Sequence, residues 1–234
     1  MKSRIFVQDF AFARFIRVMR LRITILFGAM MLLAACSKGY APEYDTPGDE
    51  PSQDAGEVYT AIVTEKCDAR GKVFFQLDDD TIAYPTNFDG TYTGLRRIIC
   101  KITLSGSTCY LHWMDYLTEA PFVSSASIPD DGLELLDDWM TSVEDGFLTV
   151  HYRSWWGDGS TPHSLEVVQG EHPYELYLRH SRNGDEVRTE ADALVYFDIN
   201  SLPPTEGDYV YLTLNWTTGE GTAASKQFRF RSRQ

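Results

Sequence analysis

Four of the five histidines fall within one stretch of thirty residues, where they could form a metal site: His151, His163, His172 and His180. A zinc ion would need three or four such ligands at about 2.0–2.2 Å. Strand alternation argues against this arrangement, because His163 and His180 share parity with apolar core positions whereas His151 does not. His172 precedes Pro173 in a turn. We therefore expect scattered rim and surface histidines, no bound metal and no cofactor.

A second polar group lies in the stretch "LRHSRNGDEV", residues 178–187. It has the residue types of a catalytic cluster, but its Asn-Gly pair tolerates positive φ and is a strong turn signal. We interpret it as a turn that ends a strand at 173–181 and leads the chain towards 194–199. The structural turn motif comprises Arg179, His180, Asn183, Gly184 and Asp185.

Two adjacent tryptophans precede a Gly-Asp-Gly turn in "SWWGDGSTPH", residues 154–163. Neighbouring strand residues point to opposite faces, so one of Trp155 and Trp156 should pack inward while the other is exposed. An exposed ring beside Asp158 could stack on a sugar, with the carboxylate accepting bonds from hydroxyls. These three residues form a candidate ligand surface, and the alternative is a packed aromatic corner.

The many carboxylates do not by themselves define a hydrolase. Glycoside hydrolysis needs two carboxyl groups about 5–5.5 Å or 6.5–9.5 Å apart, and among 33 acids in residues 37–234 some pair will always qualify. Asp158 and Asp185 are such candidates, but they have no special weight. The chain has no Cys-x-x-Cys, Gly-x-Ser-x-Gly or His-Glu-x-x-His motif. We assign no catalytic residue and expect no enzymatic activity.

The N-terminus has the pattern of a secretory signal. Six basic residues and one acid precede the apolar run 23–33, which is too short for a spanning helix of about 20 residues. The run ends in "LAAC", which resembles a bacterial lipobox whose Cys36 is lipidated. We predict a signal peptide at 1–35, with Met19 as an alternative start, and attachment to a membrane through the lipid on Cys36.

The segment after Cys36 is acidic and rich in proline, with few aliphatic side chains, so 36–56 reads as a disordered tether. Ser37 gives no inner-membrane retention signal, which favours the outer membrane, either facing the periplasm or at the cell surface. Without residues 1–36, which hold six basic residues and one acid, 15 Lys and Arg remain against 33 Asp and Glu, a formal charge of −18. Nucleic acid is an improbable partner for such a surface.

Three further cysteines, Cys67, Cys100 and Cys109, match no zinc spacing. Their odd number means at least one free thiol. We expect buried strand cysteines, and a single disulfide between two of them stays an alternative.

Short runs rich in Val, Ile, Tyr, Phe and Thr, separated by Gly, Asp and Asn, predict an all-β chain. The runs of the first half suit a small OB-like barrel at 57–123: 58–67, 72–77, 81–85, 94–104, 108–113 and 116–122. The segment 124–146 reads as a linker, either a helical turn at 133–140 or a plain bridge, anchored by Leu136 and Trp139. The runs of the second half predict an antiparallel β-sandwich at 147–234: 147–155, 163–169, 173–181, 192–199, 208–216 and 225–231.

The order of these features resembles the NigD-like lipoproteins. The resemblance rests on "FFQLDDDTIAYPTN" at 74–87, Arg96-Arg97, "FLTVHYRSWW" with "HSLEVV" at 147–168, and "LRHSRNGD" followed by "LVYFDINSL" at 194–202. It implies an OB domain followed by a β-sandwich, secreted and tethered to a membrane, and it supplies no catalytic residue. We therefore expect a non-enzymatic binding or scaffolding lipoprotein of the envelope, with an envelope protein or a glycan as partner. A glycan-binding module and a secreted hydrolase are the alternatives.

Overall fold

The computed structural model describes residues 56–78 and 80–233, and every regular element within them is a β-strand. No helix in this part of the chain could cross a membrane. The predicted signal peptide, Cys36 and all but the last residue of the tether lie outside the described residues, and those interpretations stay predictions.

The first domain is a closed five-stranded barrel with the order β1-β2-β3-β5-β4. Its strands are Val58–Cys67 (β1), Val73–Leu77 (β2), Ile82–Pro85 (β3), Arg96–Ser105 (β4) and Thr108–Tyr116 (β5). The pair β3 and β5 is parallel, and the other neighbouring pairs are antiparallel. Alternate residues fill the barrel, including Val63, Phe75, Ala83, Ile98 and Ile102.

The three cysteines of the barrel are free thiols, so the alternative of a disulfide is wrong. Cys100 and Cys109 are buried in the barrel core, as expected, whereas Cys67 at the end of β1 is half-buried. Burial raises the pKa of Cys100 to about 12 and that of Cys109 to about 11. Both thiols are therefore protonated at neutral pH and are poor nucleophiles.

The second domain packs two sheets face to face. The sheet next to the barrel, the barrel-side sheet, contains Thr118–Glu119 (β6), Glu134–Leu135 (β8), Ser142–Glu144 (β9), Phe147–Trp156 (β10) and Thr189–Asp198 (β13). The other, the distal sheet, contains Phe122–Val123 (β7), Ser164–Gln169 (β11), Glu175–Ser181 (β12), Val210–Thr217 (β14) and Ala223–Phe230 (β15). The predicted class, an all-β chain with a small barrel followed by a sandwich, is confirmed.

The sandwich core follows the period-two pattern of the sequence. Leu148, Val150 and Tyr152 of β10 face Leu212 and Leu214 of β14 across it. Not every strand pair is antiparallel, however, because β12 pairs with β14, β11 with β7 and β13 with β6 in parallel. Alternation marks which residues face the core but carries no information on strand direction.

The boundary between the domains lies earlier than the sequence indicates. The predicted strand 116–122 is divided, because β5 ends at Tyr116 while β6 and β7 join the two sheets of the sandwich. The predicted linker 124–146 contributes β8 and β9, which both pair with β10. Leu133 anchors it in the sandwich core, whereas Trp139 is 54% exposed and no helical turn forms.

The barrel and the sandwich share an apolar contact. Ile62 and Ile99 on the outside of the barrel pack with Phe147, Leu194 and Tyr196 of the barrel-side sheet. This explains why β1 and β4 are buried on both faces in their middle. Ionic contacts surround the patch, among them Lys66–Asp145 at 2.8 Å and Arg231–Asp80 at 2.5 Å.

Candidate functional site

Two of the clustered histidines meet inside the sandwich. His180 of β12 and His163, just before β11, are both buried, and His163 Nδ1 lies 3.0 Å from His180 Nε2. The chain of contacts continues at both ends. His180 Nδ1 donates to the Gly132 carbonyl at 2.8 Å, and His163 Nε2 lies 3.2 Å from Asp185 Oδ2. The predicted rim position of His180 is wrong, since its ring sits wholly within the protein.

The number of protons sets the state of this network. The Gly132 carbonyl and an ionised Asp185 are acceptors only, so the outer contacts need hydrogens on His180 Nδ1 and His163 Nε2. The central contact between His163 and His180 then needs a third hydrogen on two rings. Two neutral imidazole rings carry only two N–H hydrogens. In one of the three contacts, two acceptor atoms therefore face each other with no hydrogen between them.

Burial controls the uptake of this third proton. Burial, together with the neighbouring His180, lowers the pKa of His163 to about 4, and burial also lowers the pKa of His180. Burial raises the pKa of Asp185, but hydrogen bonds from the Gly157 amide and from His163 lower this pKa, and the net effect is a lowered pKa. Both imidazoles are therefore neutral at neutral pH, and the complete chain of bonds forms only in acid.

The turn beside this network matches part of the sequence interpretation. Asn183 and Gly184 adopt positive φ angles of 52° and 80°, and the Asp185 amide donates to the Arg182 carbonyl at 2.9 Å. The strands it separates are not a hairpin, because β12 lies in the distal sheet and β13 in the barrel-side sheet. Residues 185–188 carry the chain across, so Asp185 reaches His163 from the crossing segment.

The two tryptophans divide as strand alternation predicts. Trp156 stacks on the His163 ring with centroids 3.7 Å apart and planes 4° from parallel, whereas Trp155 is 43% exposed. The Gly157 amide donates to Asp185 at 2.7 Å, and an added Cβ at Gly157 would lie 2.2 Å from that carboxylate. Trp156 thus belongs to the buried network and is lost to the candidate ligand surface.

The remaining residues of that surface do not converge. Asp158 is bonded to the Ser160 amide at 2.9 Å within its own turn. Trp155 pairs with Glu190 across β10 and β13. The loop keeps one exposed ring, and the ligand surface predicted there stays a prediction without further support.

His151 forms a separate network on the barrel-facing side of β10. Its ring is buried, Nδ1 lies 2.7 Å from Asp138 Oδ2, and Nε2 lies 4.0 Å from Asp192 Oδ2. Arg153 binds Asp192 through two contacts at 2.7 and 3.3 Å. The Nε2 atom makes no hydrogen bond within the described residues, so no hydroxyl or thiol of this part of the chain is bonded to the Asp-His pair in the way that an activated nucleophile is.

Within residues 56–78 and 80–233, no three His, Cys, Asp or Glu side chains are grouped as metal ligands. The predicted rim and surface positions of the histidines hold for the exposed His172 but are wrong for His151, His163 and His180, which are buried. Their polar contacts supply what water would otherwise provide, which is the usual requirement for burying such groups.

A buried carboxylate holds the segment before β8 on the distal sheet. Glu166 of β11 accepts hydrogen bonds from the Ser127 amide at 2.8 Å, the Ile128 amide at 3.2 Å and the Ser127 hydroxyl. Arg179 donates to the Ile128 carbonyl at 3.1 Å and lies 3.8 Å from Glu166. One end of the outer surface of this sheet is therefore covered.

The rest of that outer surface is open, and we call it the polar face. It consists of eight outward side chains on three neighbouring strands, β12, β14 and β15: Glu175, Tyr177, Tyr211, Thr213, Asn215, Ser225, Gln227 and Arg229. The alternation of "DYVYLTLNW" places Tyr211, Thr213 and Asn215 on the non-core side. It could not reveal that β12 and β15 flank them, because pairing between distant strands is not written in a local pattern.

A shallow cleft adjoins the polar face. It has a volume of about 650 Å³ and is lined by Ser124, Gln169, Gly170, Glu171, His172, Glu175 and Tyr177. Tyr177 and Glu175 belong to both surfaces, and the Tyr177 hydroxyl donates to Glu175 Oε1 at 2.9 Å. The cleft and the polar face thus form one continuous exposed area.

Known structures share the fold of this chain. A "Putative TOXIN related protein" from Parabacteroides distasonis aligns with a TM-score of 0.64 at 21% identity, covering 75% of this chain and 94% of that one. A NigD-like immunity protein from Bacteroides caccae aligns with a TM-score of 0.55 at 17% identity, covering 74% and 94%. A "Putative lipoprotein" from Bacteroides fragilis aligns with 0.55 at 10%, covering 76% and 100%. At such low sequence identities, these structural alignments show a common fold and no more.

No curated protein matches the sequence. Residues 116–230 do match a family model, that of the NigD-like C-terminal beta sandwich domain. The matched range begins at the end of β5 and includes β6 to β9, in agreement with the strand pairing. The resemblance found in the sequence is thereby confirmed for residues 116–230, which form a NigD-like C-terminal β-sandwich domain.

Proposed function

We propose that the protein is a non-enzymatic lipoprotein of the cell envelope, anchored in the outer membrane through Cys36, which presents its two β domains for binding. The observation that carries the proposal is the division between enclosed and open polar groups. The histidines with hydrogen-bonded carboxylates are buried in networks with backbone and neighbouring side chains, whereas the polar face and its cleft are open.

The descriptions of two structural neighbours support this function. One structural neighbour is described as a "Putative lipoprotein" and another as a NigD-like immunity protein, and neither description is that of an enzyme. We also propose that the barrel is of the OB type, because it is closed by five strands in a non-sequential order, as in that small barrel class. The barrel packs against the sandwich, so the distal sheet is the side of the sandwich turned away from it.

The anchor is tested by cell fractionation of the Cys36→Ala variant. Loss of the lipid on Cys36 should move the protein from the membrane to the soluble fraction, since buried acyl chains supply the free energy of attachment. The matched control is Cys67→Ala, which removes a half-buried thiol and should stay with the membrane. Sucrose-gradient separation of inner and outer membranes tests the address, and a Cys36→Ala variant that remains membrane-bound would disprove the anchor.

A further inference from the structure

We propose that the polar face binds an uncharged oligosaccharide, with Tyr177 and Tyr211 as the stacking platforms. This inference rests on the proposed binding function and names its ligand class. It places the ligand on the distal sheet, away from Trp155.

The strand register sets out the face in three rows. In the first row Tyr177 lies beside Asn215, which pairs with Ser225. In the second, Glu175 lies beside Thr213, which pairs with Gln227, and in the third Tyr211 pairs with Arg229. Tyr177 and Tyr211 are separated by four residue steps along the strands and one strand across, about 14 Å. A short oligosaccharide could therefore contact both rings and the side chains between them.

Both rings are exposed, and one of them, Tyr177, is held in place by a hydrogen bond. Tyr211 is 71% exposed and Tyr177 is 42% exposed. The hydrogen bond to Glu175 fixes Tyr177, and the Arg229 guanidinium beside Tyr211 is itself held over the ring of Tyr209 at 4.0 Å. A fixed aromatic ring offers an apolar plane at low entropic cost, which suits the C–H faces of a sugar.

The side chains between the rings suit hydroxyl groups. Thr213, Asn215, Ser225 and Gln227 supply hydroxyl and amide groups that donate and accept hydrogen bonds. They carry no charge and contain no large aliphatic surface. A protein partner would meet little of the apolar centre that specific protein interfaces bury, whereas a polyol can bond the hydroxyl and amide groups that are exposed. One N–H of the Asn215 amide is already used, since it donates to the Leu176 carbonyl at 3.2 Å.

Charge selects an uncharged ligand over an anionic one. The eight side chains of the polar face have a formal charge of zero, since Glu175 and Arg229 cancel, in a chain whose residues 37–234 carry −18. Glu171 and Glu175 line the adjoining cleft. Nucleic acids, uronate polymers and anionic lipids would be repelled by these carboxylates and by the whole acidic surface.

The test uses the full chain, purified in a zwitterionic detergent because glucoside and maltoside detergents have sugar headgroups. An array of neutral and anionic glycans identifies ligands, and titration calorimetry measures the best neutral oligosaccharide. Tyr177→Ala and Tyr211→Ala should each weaken binding at least about tenfold, as loss of about 1.4 kcal/mol does. Tyr110→Ala, at a 53% exposed tyrosine of the barrel, and Trp155→Ala are the controls and should bind like the unaltered protein.

Each result distinguishes this inference from the function beneath it. If no neutral glycan binds, or if Trp155→Ala abolishes binding while Tyr177→Ala and Tyr211→Ala do not, the inference is overturned and the proposed lipoprotein function stands. If the bound oligosaccharide is cleaved, as chromatography of the mixture would show, the non-enzymatic function is overturned although the site is correct. Unchanged melting temperatures in the tyrosine variants establish that lost binding is not lost folding.

Discussion

Histidine is often a functional residue, yet in this protein its main effect on the molecule is structural. The His163 ring is enclosed between Trp156, His180 and Asp185, and no hydroxyl or thiol is bonded to either of its nitrogens. Its neutral form is favoured by burial. A buried imidazole of this kind links the stability of the fold to pH, because the unfolded chain takes up its proton much more readily.

We expect His163→Gln to destabilise the protein at pH 7 by about 1–3 kcal/mol, because Asp185 and His180 lose a buried partner. The pKa of His163 falls from 6.5 to about 4 on folding, so the unfolded chain binds an extra proton between these values. Its contribution to stability is present above pH 6.5 and is lost as the pH falls towards 4, by about 3 kcal/mol at most. Urea denaturation from pH 4 to 7 should therefore show the difference between unaltered protein and variant shrinking in acid.

The exposed His172 provides the matched control for that measurement. His172→Gln makes the same chemical change in a turn and should leave the free energy of unfolding within about 0.5 kcal/mol at every pH. A constant difference between the unaltered protein and His163→Gln from pH 7 to 4 would show that His163 is not the titrating group.

At the scale of strands, the sequence predicts what is local and misses what is distant. The period-two pattern of Val210–Thr217 placed Leu212 and Leu214 in the core correctly, because each residue alternates faces whatever its partners are. The short strands β6 to β9 were missed, since two or three residues carry no period and depend on pairing with β10, β11 or β13. The polar face could not be predicted as a unit for the same reason.

Glu166 illustrates how one side chain substitutes for strand pairing. Burial raises the pKa of Glu166, but the net effect of its surroundings is to lower this pKa. The lowering comes from hydrogen bonds donated by Ser127 and Ile128 and from the charge of Arg179. We expect Glu166→Gln to lose about 1–3 kcal/mol, because an amide cannot accept all three bonds as well as a carboxylate does. Hydrogen exchange should accelerate at the Ser127 and Ile128 amides.

The exposed Glu171 offers a control for the same substitution. Glu171→Gln should leave exchange at Ser127 and Ile128 unchanged, since it lies outside the segment that Glu166 holds. Equal exchange in the two variants would mean that contacts other than the Glu166 carboxylate fix the segment 124–131.

At the scale of the whole molecule, the barrel and the sandwich are joined by an interface that is charged around its apolar centre. Ser142 donates to Asp78 at 3.2 Å, and Arg97 of the barrel binds the same carboxylate at 2.7 Å. Glu144 of β9 lies among these groups. Its burial, followed by repulsion from Asp78 and Asp80, raises the pKa of Glu144 to about 7, so domain contact is opposed when this carboxyl ionises.

Glu144 and His163 should therefore act on stability in opposite directions over a similar pH range. The folded protein binds a proton at Glu144 between pH 4.5 and about 7 that the unfolded chain has released, so this group lowers stability as the pH rises, by about 1–3 kcal/mol after allowance for its partial exposure. We expect the two contributions to flatten the pH profile of the free energy of unfolding of the unaltered protein.

In Glu144→Gln the free energy of unfolding should increase with pH, and in His163→Gln it should decrease with pH, as urea denaturation from pH 4 to 8 would measure. Glu220→Gln, at an exposed loop position, should reproduce the original profile. Parallel profiles for Glu144→Gln and the unaltered protein would exclude Glu144 as the acidic group of the interface, because its removal must change the slope if its pKa is raised on folding.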